Sequence, residues 1–211
     1  DVSSVIADVE TTFQLSENQA TSEALQDDAN AIFFEAATDK GLLGARTSET
    51  VQTTNTLSCA AVTVTPAVGF PKTIVVDFGS GCTSADGIHR SGKINIVLSD
   101  SVRKTGSTAV ITFANYFSAS FKVEGTITWT NTSTPNTISW TRQIANGKIS
   151  GSNGYYWLHT GTKAVAQTAG VATPFNVLDD VFSVTGNHTV TNPLGKSRTA
   201  TITEALEKKT V

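Results

Sequence analysis

The sequence predicts a mainly β protein of the α+β kind, with an N-terminal helical segment packed on a strongly curved antiparallel β-meander that curls toward a barrel. Three observations lead there. The first forty residues carry apolar side chains at helical spacing. From residue 61 onward the pattern changes to strict alternation of apolar and polar residues. Glycine then recurs at the start or in the middle of one apolar strand after another.

In the opening segment Val2, Val5, Ile6, Val9 and Phe13 recur at helical offsets, and so do Leu25, Ala29, Ile32 and Phe33. Ser3 or Ser4 is the expected cap of a first helix and Ser22 of a later one, with Gly41 and Gly44 as the stop. Acidic residues dominate, so one face should be wet and the other should lie on apolar surface. The expected organisation is an acidic helical segment over 1–41, a connecting loop over 42–60 and a sheet over 61–211. Helix and sheet should form one folding unit, because the helix is the filler that a coiling sheet needs.

In FKVEGTITWT, Phe121, Val123, Ile127 and Trp129 point one way, while Lys122, Glu124 and the threonines point the other. Ile94, Ile96 and Leu98 mark a second strand, Ile138, Trp140 and Ile144 a third, and Phe182, Val184 and Val190 a fourth. Further strands are expected at 61–66, 72–78, 108–117, 155–167 and 198–203. NTSTPN, IANGKISG and TNPLG have the composition of turns. Strands in succession with no helix between them imply an antiparallel meander. Gly92, Gly125, Gly147 and Gly186 interrupt apolar faces, which is how bulges and strong coiling are encoded.

Only 16% of the 211 residues are charged, against roughly 25% in an average globular protein, and the net charge is −3. This balance gives no reason to expect nucleic acid or an anionic membrane as partner. There is no run of about 18 apolar residues to form a transmembrane segment. The absence of methionine fits a processed chain whose signal segment has been removed. Cys59 and Cys82 are the whole cysteine inventory and suit one disulfide in an oxidising compartment. Two free buried thiols are the alternative, and the CxxC spacing of a metal site is missing.

Residues 77–94, DFGSGCTSADGIHRSGKI, concentrate acids, a cysteine, a histidine and bases between two apolar runs. The spacing fits neither a phosphate loop nor a calcium loop. The expected role is a turn braced by Cys59 and Cys82, with Arg90 and Lys93 in weak local ion pairs to Asp77 and Asp86. No nucleophile elbow is present. His89, His159 and His188 lie far apart in sequence, and His188 shares a strand face with Phe182 and Val184, as an interior residue would. Asp179 and Asp180 could approach it across a turn. Neither catalytic residues, metal ligands nor a cofactor are expected. Tyr155, Tyr156 and Trp157 with Trp129 are the candidates for a glycan-stacking platform. Asp100-Ser101-Val102 has the form of a bacterial O-glycosylation acceptor at Ser101.

The stretch from Phe70 to about Thr132 resembles a family of lipid-anchored or secreted extracytoplasmic proteins of Bacteroidota. It is carried by Asp77-Phe78-Gly79, Cys82, Asp86-Gly87, Arg90 and Gly92-Lys93-Ile94, and by the acidic helical start. The resemblance implies an envelope or surface location, a lipidation cysteine upstream or a secreted form, and further strands past Val211. No activity comes with it. The expected function is therefore non-catalytic: a protein-protein interaction, as accessory to an outer-membrane or surface assembly. A carbohydrate-binding module and a hydrolase with an unrecognised site are the alternatives.

Overall fold

A computed structural model describes residues 2–44, 55–170 and 181–209, with the side chains of 2–10 and 204–209 left aside. One helix, α1 (Val2–Asp39), is followed by ten strands: β1 (Ala61–Thr65), β2 (Lys72–Asp77), β3 (Cys82–Thr83), β4 (His89–Leu98), β5 (Thr108–Ser118), β6 (Phe121–Asn131), β7 (Ser139–Ser150), β8 (Tyr156–Ala169), β9 (Val181–Thr191) and β10 (Ser197–Lys209). All pair antiparallel with a chain neighbour, in the order β1-β2-β4-β5-β6-β7-β8-β9-β10, and β3 adds a short pairing to β4. The sheet is open: β1 and β10 are its ends, so the curl does not close into a barrel.

α1 is continuous, and Ser22 is not a cap. It sits on the buried face, donating its hydroxyl to the Asn18 carbonyl at 2.7 Å and accepting the Trp157 indole N–H at 2.8 Å. Local capping chemistry loses to a tertiary partner that satisfies the same hydroxyl inside the helix. The helix ends as expected at Gly41, whose φ of 66° is the left-handed conformation of a helix stop. Gly41 N–H donates to Thr38 and Leu42 N–H to Ala37, and Leu42 is itself buried. The 42–60 connection is thus not merely superficial. Leu42 and Leu43 carbonyls accept from Val102 and Arg103, and Thr56 donates twice to Glu35. Residues 45–54 lie outside the described part.

The buried stripe of α1 changes character along its length. Ala29, Ile32, Phe33, Ala36 and Ala37 are fully covered and meet Ile74, Ile94, Ile96 and Ile111 in one apolar core. The alanines let the helix backbone approach the sheet, and Phe33 and Phe34 hold Trp129 between them at 5.8 and 5.5 Å. Further toward the N-terminus, Asn18, Gln19, Ser22 and Gln26 are buried instead, facing the later strands. Phe13, the described member of the Val2–Phe13 stripe, is 68% exposed.

The coiling has a specific cause. Asn115 in β5 and Asn146 in β7 take positive φ, 48° and 53°, and each adds an extra residue to its strand, shifting the register against both neighbours. Gly92 and Gly125 lie opposite them. A Cβ on Gly92 would overlap the Asn115 carbonyl oxygen, and one on Gly125 would come 2.8 Å from that of Asn146. Only glycine permits that approach. A larger register shift, of two residues, separates Ile202 from Leu206 in β10, where Gly186 pairs with Ile202. Asn146-Gly147 therefore bends a strand: IANGKISG is a bulge within β7, and the chain turns after Ser150. The Ile94, Ile96 and Leu98 face is fully buried as expected, whereas Trp140 is half-covered against Phe182 at 5.6 Å.

Candidate functional site

Two polar clusters join α1 to the sheet. The first resolves the role of residues 77–94. Cys59 and Cys82 form the disulfide, which points to an oxidising, extracytoplasmic environment. Beside it, Ser84 donates to the Thr56 carbonyl and Ala85 N–H to the Ser58 hydroxyl, so the 55–60 segment and the β3 hairpin are laced together. Lys93 and Asp77 make the expected exposed pair at 2.8 Å.

Arg90 is different. It is completely buried and grips two carboxylates at once. Its Nε donates to Asp28 Oδ2 at 3.1 Å and its Nη2 to Asp28 Oδ1, while Nη1 and Nη2 reach Asp86 at 3.1 and 2.6 Å. Tyr116 and Ser118 also donate to Asp28 Oδ2, at 3.2 and 2.9 Å. The expected weak surface pair is instead the centre of a buried network, because the helix brings a second acid, 62 residues away in sequence. Burial works against the guanidinium charge, but the hydrogen bonds from Asp28 and then Asp86 outweigh it and raise the Arg90 pKa. Hydrogen bonding to Arg90 holds the Asp86 carboxyl below the usual range. Burial, and then the Asp28 charge, push the Tyr116 phenol up. Every donor here is spent on an internal partner, so the cluster is a clamp between helix and hairpin.

The second cluster lies over β7–β10. The histidines expected to lie apart include two that meet. The antiparallel register sets His188 opposite Gly161 and His159 opposite Val190, a diagonal pair on the inward face. His159 Nδ1 and His188 Nε2 are 3.4 Å apart, and Gln26 Nε2 sits 3.1 Å from the first and 3.3 Å from the second. Glycines make room: a Cβ on Gly147 would come 2.5 Å from the His159 ring. Glu23 Oε1 stands 3.8 Å from His188 Nδ1. Burial, and secondarily the neighbouring His188, lower the His159 pKa to about 4; burial also lowers that of His188. Both rings are therefore neutral at neutral pH. His159 Nε2 and His188 Nδ1 are buried without a hydrogen-bond partner. A cavity of about 10 Å³, room for one water, lies against His159, Gln26 and Ser22. Alternation along β8 and β9 was the only sequence signal for this pair, since both histidines fall on inward positions.

The aromatic candidates do not share one open face. Trp129 and Trp157 are in the core, Tyr155 hydroxyl accepts from Asn18 at 2.9 Å, and Lys148 lies 4.7 Å over the Tyr156 ring. Ser101 is half-buried in the turn after β4, its N–H on Asp100. Asp179 and Asp180 lie outside the described residues. Among the described residues, no three His, Cys, Asp or Glu side chains gather into a metal cage, and no helix is long and apolar enough to cross a membrane.

Among the described residues, the most exposed large apolar side chain, Val68, sits on the β1–β2 loop, Pro66-Ala67-Val68-Gly69-Phe70-Pro71. Val68 is 88% exposed. Buried Lys72 ties the base of this loop, donating to the Pro66 and Ala67 carbonyls at 2.7 and 3.2 Å with its ammonium 5.5 Å from the Phe70 ring. No protein-family model matches this chain, and no curated protein or solved structure does either.

Proposed function

We propose that this protein acts outside the cytoplasm by holding a protein partner, as an accessory of an envelope or surface assembly, and that it belongs with the Bacteroidota proteins it resembles. The observation that carries the reading is the β1–β2 loop. Its base is fixed by three contacts from one buried lysine, so the apolar tip is presented in a set shape. Fully burying a side chain such as Val68 stabilises a complex by about 1.5–3 kcal/mol, a gain that folding of this chain leaves almost uncollected. The Arg90 cluster is consumed in joining helix to hairpin, which supports a binding role for this part of the sheet over one in chemistry.

The test compares wild type with Val68→Asp/Phe70→Asp as bait for envelope extracts, with bound proteins identified by mass spectrometry. A defined partner held by wild type and released by the variant supports the reading. Identical retention by both, or no specific partner, overturns it.

A further inference from the structure

The Gln26, His159 and His188 cluster has a geometry that helix–sheet packing alone does not require. The three side-chain atoms form a triangle with sides of 3.1, 3.3 and 3.4 Å. Metal–nitrogen bonds of about 2.0–2.1 Å in a tetrahedral shell place neighbouring ligand atoms roughly 3.3–3.4 Å apart. With the Gln26 amide donating to both rings, the lone pairs of His159 Nδ1 and His188 Nε2 are both turned toward the Gln26 side chain, while the outer nitrogens have no partner.

We propose that His159 Nδ1, His188 Nε2 and the Gln26 side-chain oxygen bind one zinc- or copper-class divalent ion, with water in the fourth position. The amide oxygen and nitrogen are nearly isosteric, so turning the Gln26 amide over brings its oxygen into the triangle without extra space. Imidazole is a preferred ligand of zinc and copper. The neighbouring cavity has room for the one water. Glu23 Oε1, 3.8 Å from the far ring nitrogen of His188 and 46% exposed, adds a carboxylate beside the ligand set without hydrogen-bonding to the ring. The other charges nearby are Arg142 and Lys163. Arg142 is paired with Asp27 at 2.8 Å, and Glu23 Oε1 also accepts from the Gln19 amide at 3.4 Å. Such an ion bridges α1, β8 and β9.

The experiment titrates chelator-stripped protein with Zn²⁺ alone and with Cu²⁺ alone by calorimetry, and records the Cu²⁺ spin-resonance spectrum. The expected result is one equivalent bound, a raised unfolding temperature and coupling to two imidazole nitrogens. His188→Asn and Gln26→Leu should weaken binding by at least about tenfold, and His89→Ala, on the exposed hairpin, should not change it. Near-ultraviolet circular dichroism verifies that the variants are folded, and the wild-type spectrum needs no variant at all. No binding at up to about 100 µM metal, far above what ordered His sites require, overturns the proposal. So does a spectrum with no imidazole coupling, or binding that survives in folded His188→Asn.

Discussion

Arg90, on the first turn of a strand, and Asp28, in the middle of the helix, are joined by two hydrogen bonds from a guanidinium with no solvent exposure. The pair connects the two parts of the molecule at the point where the disulfide hairpin folds back. Removing one partner leaves the other charge buried without its main counter-charge or with only part of it, which is the costly way to break such a contact.

Arg90→Ala is accordingly expected to lower stability by about 3–5 kcal/mol. The double change Arg90→Met with Asp28→Leu should cost less than the sum of the single ones, because the Asp28 charge is removed with its partner and Asp86 alone is left unpaired. Urea unfolding of the four proteins checks this, and additivity within error would show that the pair is not coupled.

Asp86 supplies the pH dependence of the same clamp. Its folded-state pKa lies below the unfolded value, so its contribution is fully present above about pH 4 and is lost as the pH falls through the folded pKa. The urea midpoint should drop below pH 4 in wild type and drop less in Asp86→Asn. Equal slopes for the two proteins would contradict the assignment.

Backbone crowding at the bulges predicts a contrast between two glycines that both have positive φ. Gly87 faces open space, so Gly87→Ala should cost about 1 kcal/mol from conformation alone. Gly92→Ala adds an overlap with the Asn115 carbonyl and should cost about 3 kcal/mol or more. Thermal unfolding of the two variants decides it, and comparable losses would mean the bulge is not tight.

Replacing both Cys59 and Cys82 by serine should lower stability by about 3 kcal/mol, the loop-closure contribution for a separation of 23 residues. The same shift should follow reduction of the wild type, measured as a fall in unfolding temperature with reductant.

These outcomes bear on how much the residues announce by themselves. The meander was legible because each strand has one wet face, and Gly92 and Gly125 were legible as interruptions of that alternation. Asn146-Gly147 was misleading, since a turn dipeptide and a bulge use the same backbone freedom. The informative sign was that Ile144 and Ile149, both inward, are an odd number of residues apart, which one inserted residue explains. Ser22 looked like a cap because its hydroxyl's partner, Trp157, is 135 residues away. The Asp28–Arg90 and His159–His188 contacts were hidden for the same reason: they depend on which helix face meets which strand, and no local pattern encodes that. The disulfide was legible only because two cysteines leave one intramolecular pairing.

The bond from Arg198 of β10 to Gln19 of α1, spanning 179 residues, has a consequence for biogenesis. α1 is synthesised before the sheet, yet the surfaces that cover its polar stripe belong to β8, β9 and β10, which follow the seven other strands. Until β8, β9 and β10 arrive, half of its eventual interior faces water, and the sheet has to add hairpin after hairpin around a helix that is still waiting. Such high contact order makes folding slow and leaves a long interval for capture by holdases. Moving α1 to follow β10 by circular permutation would shorten that interval.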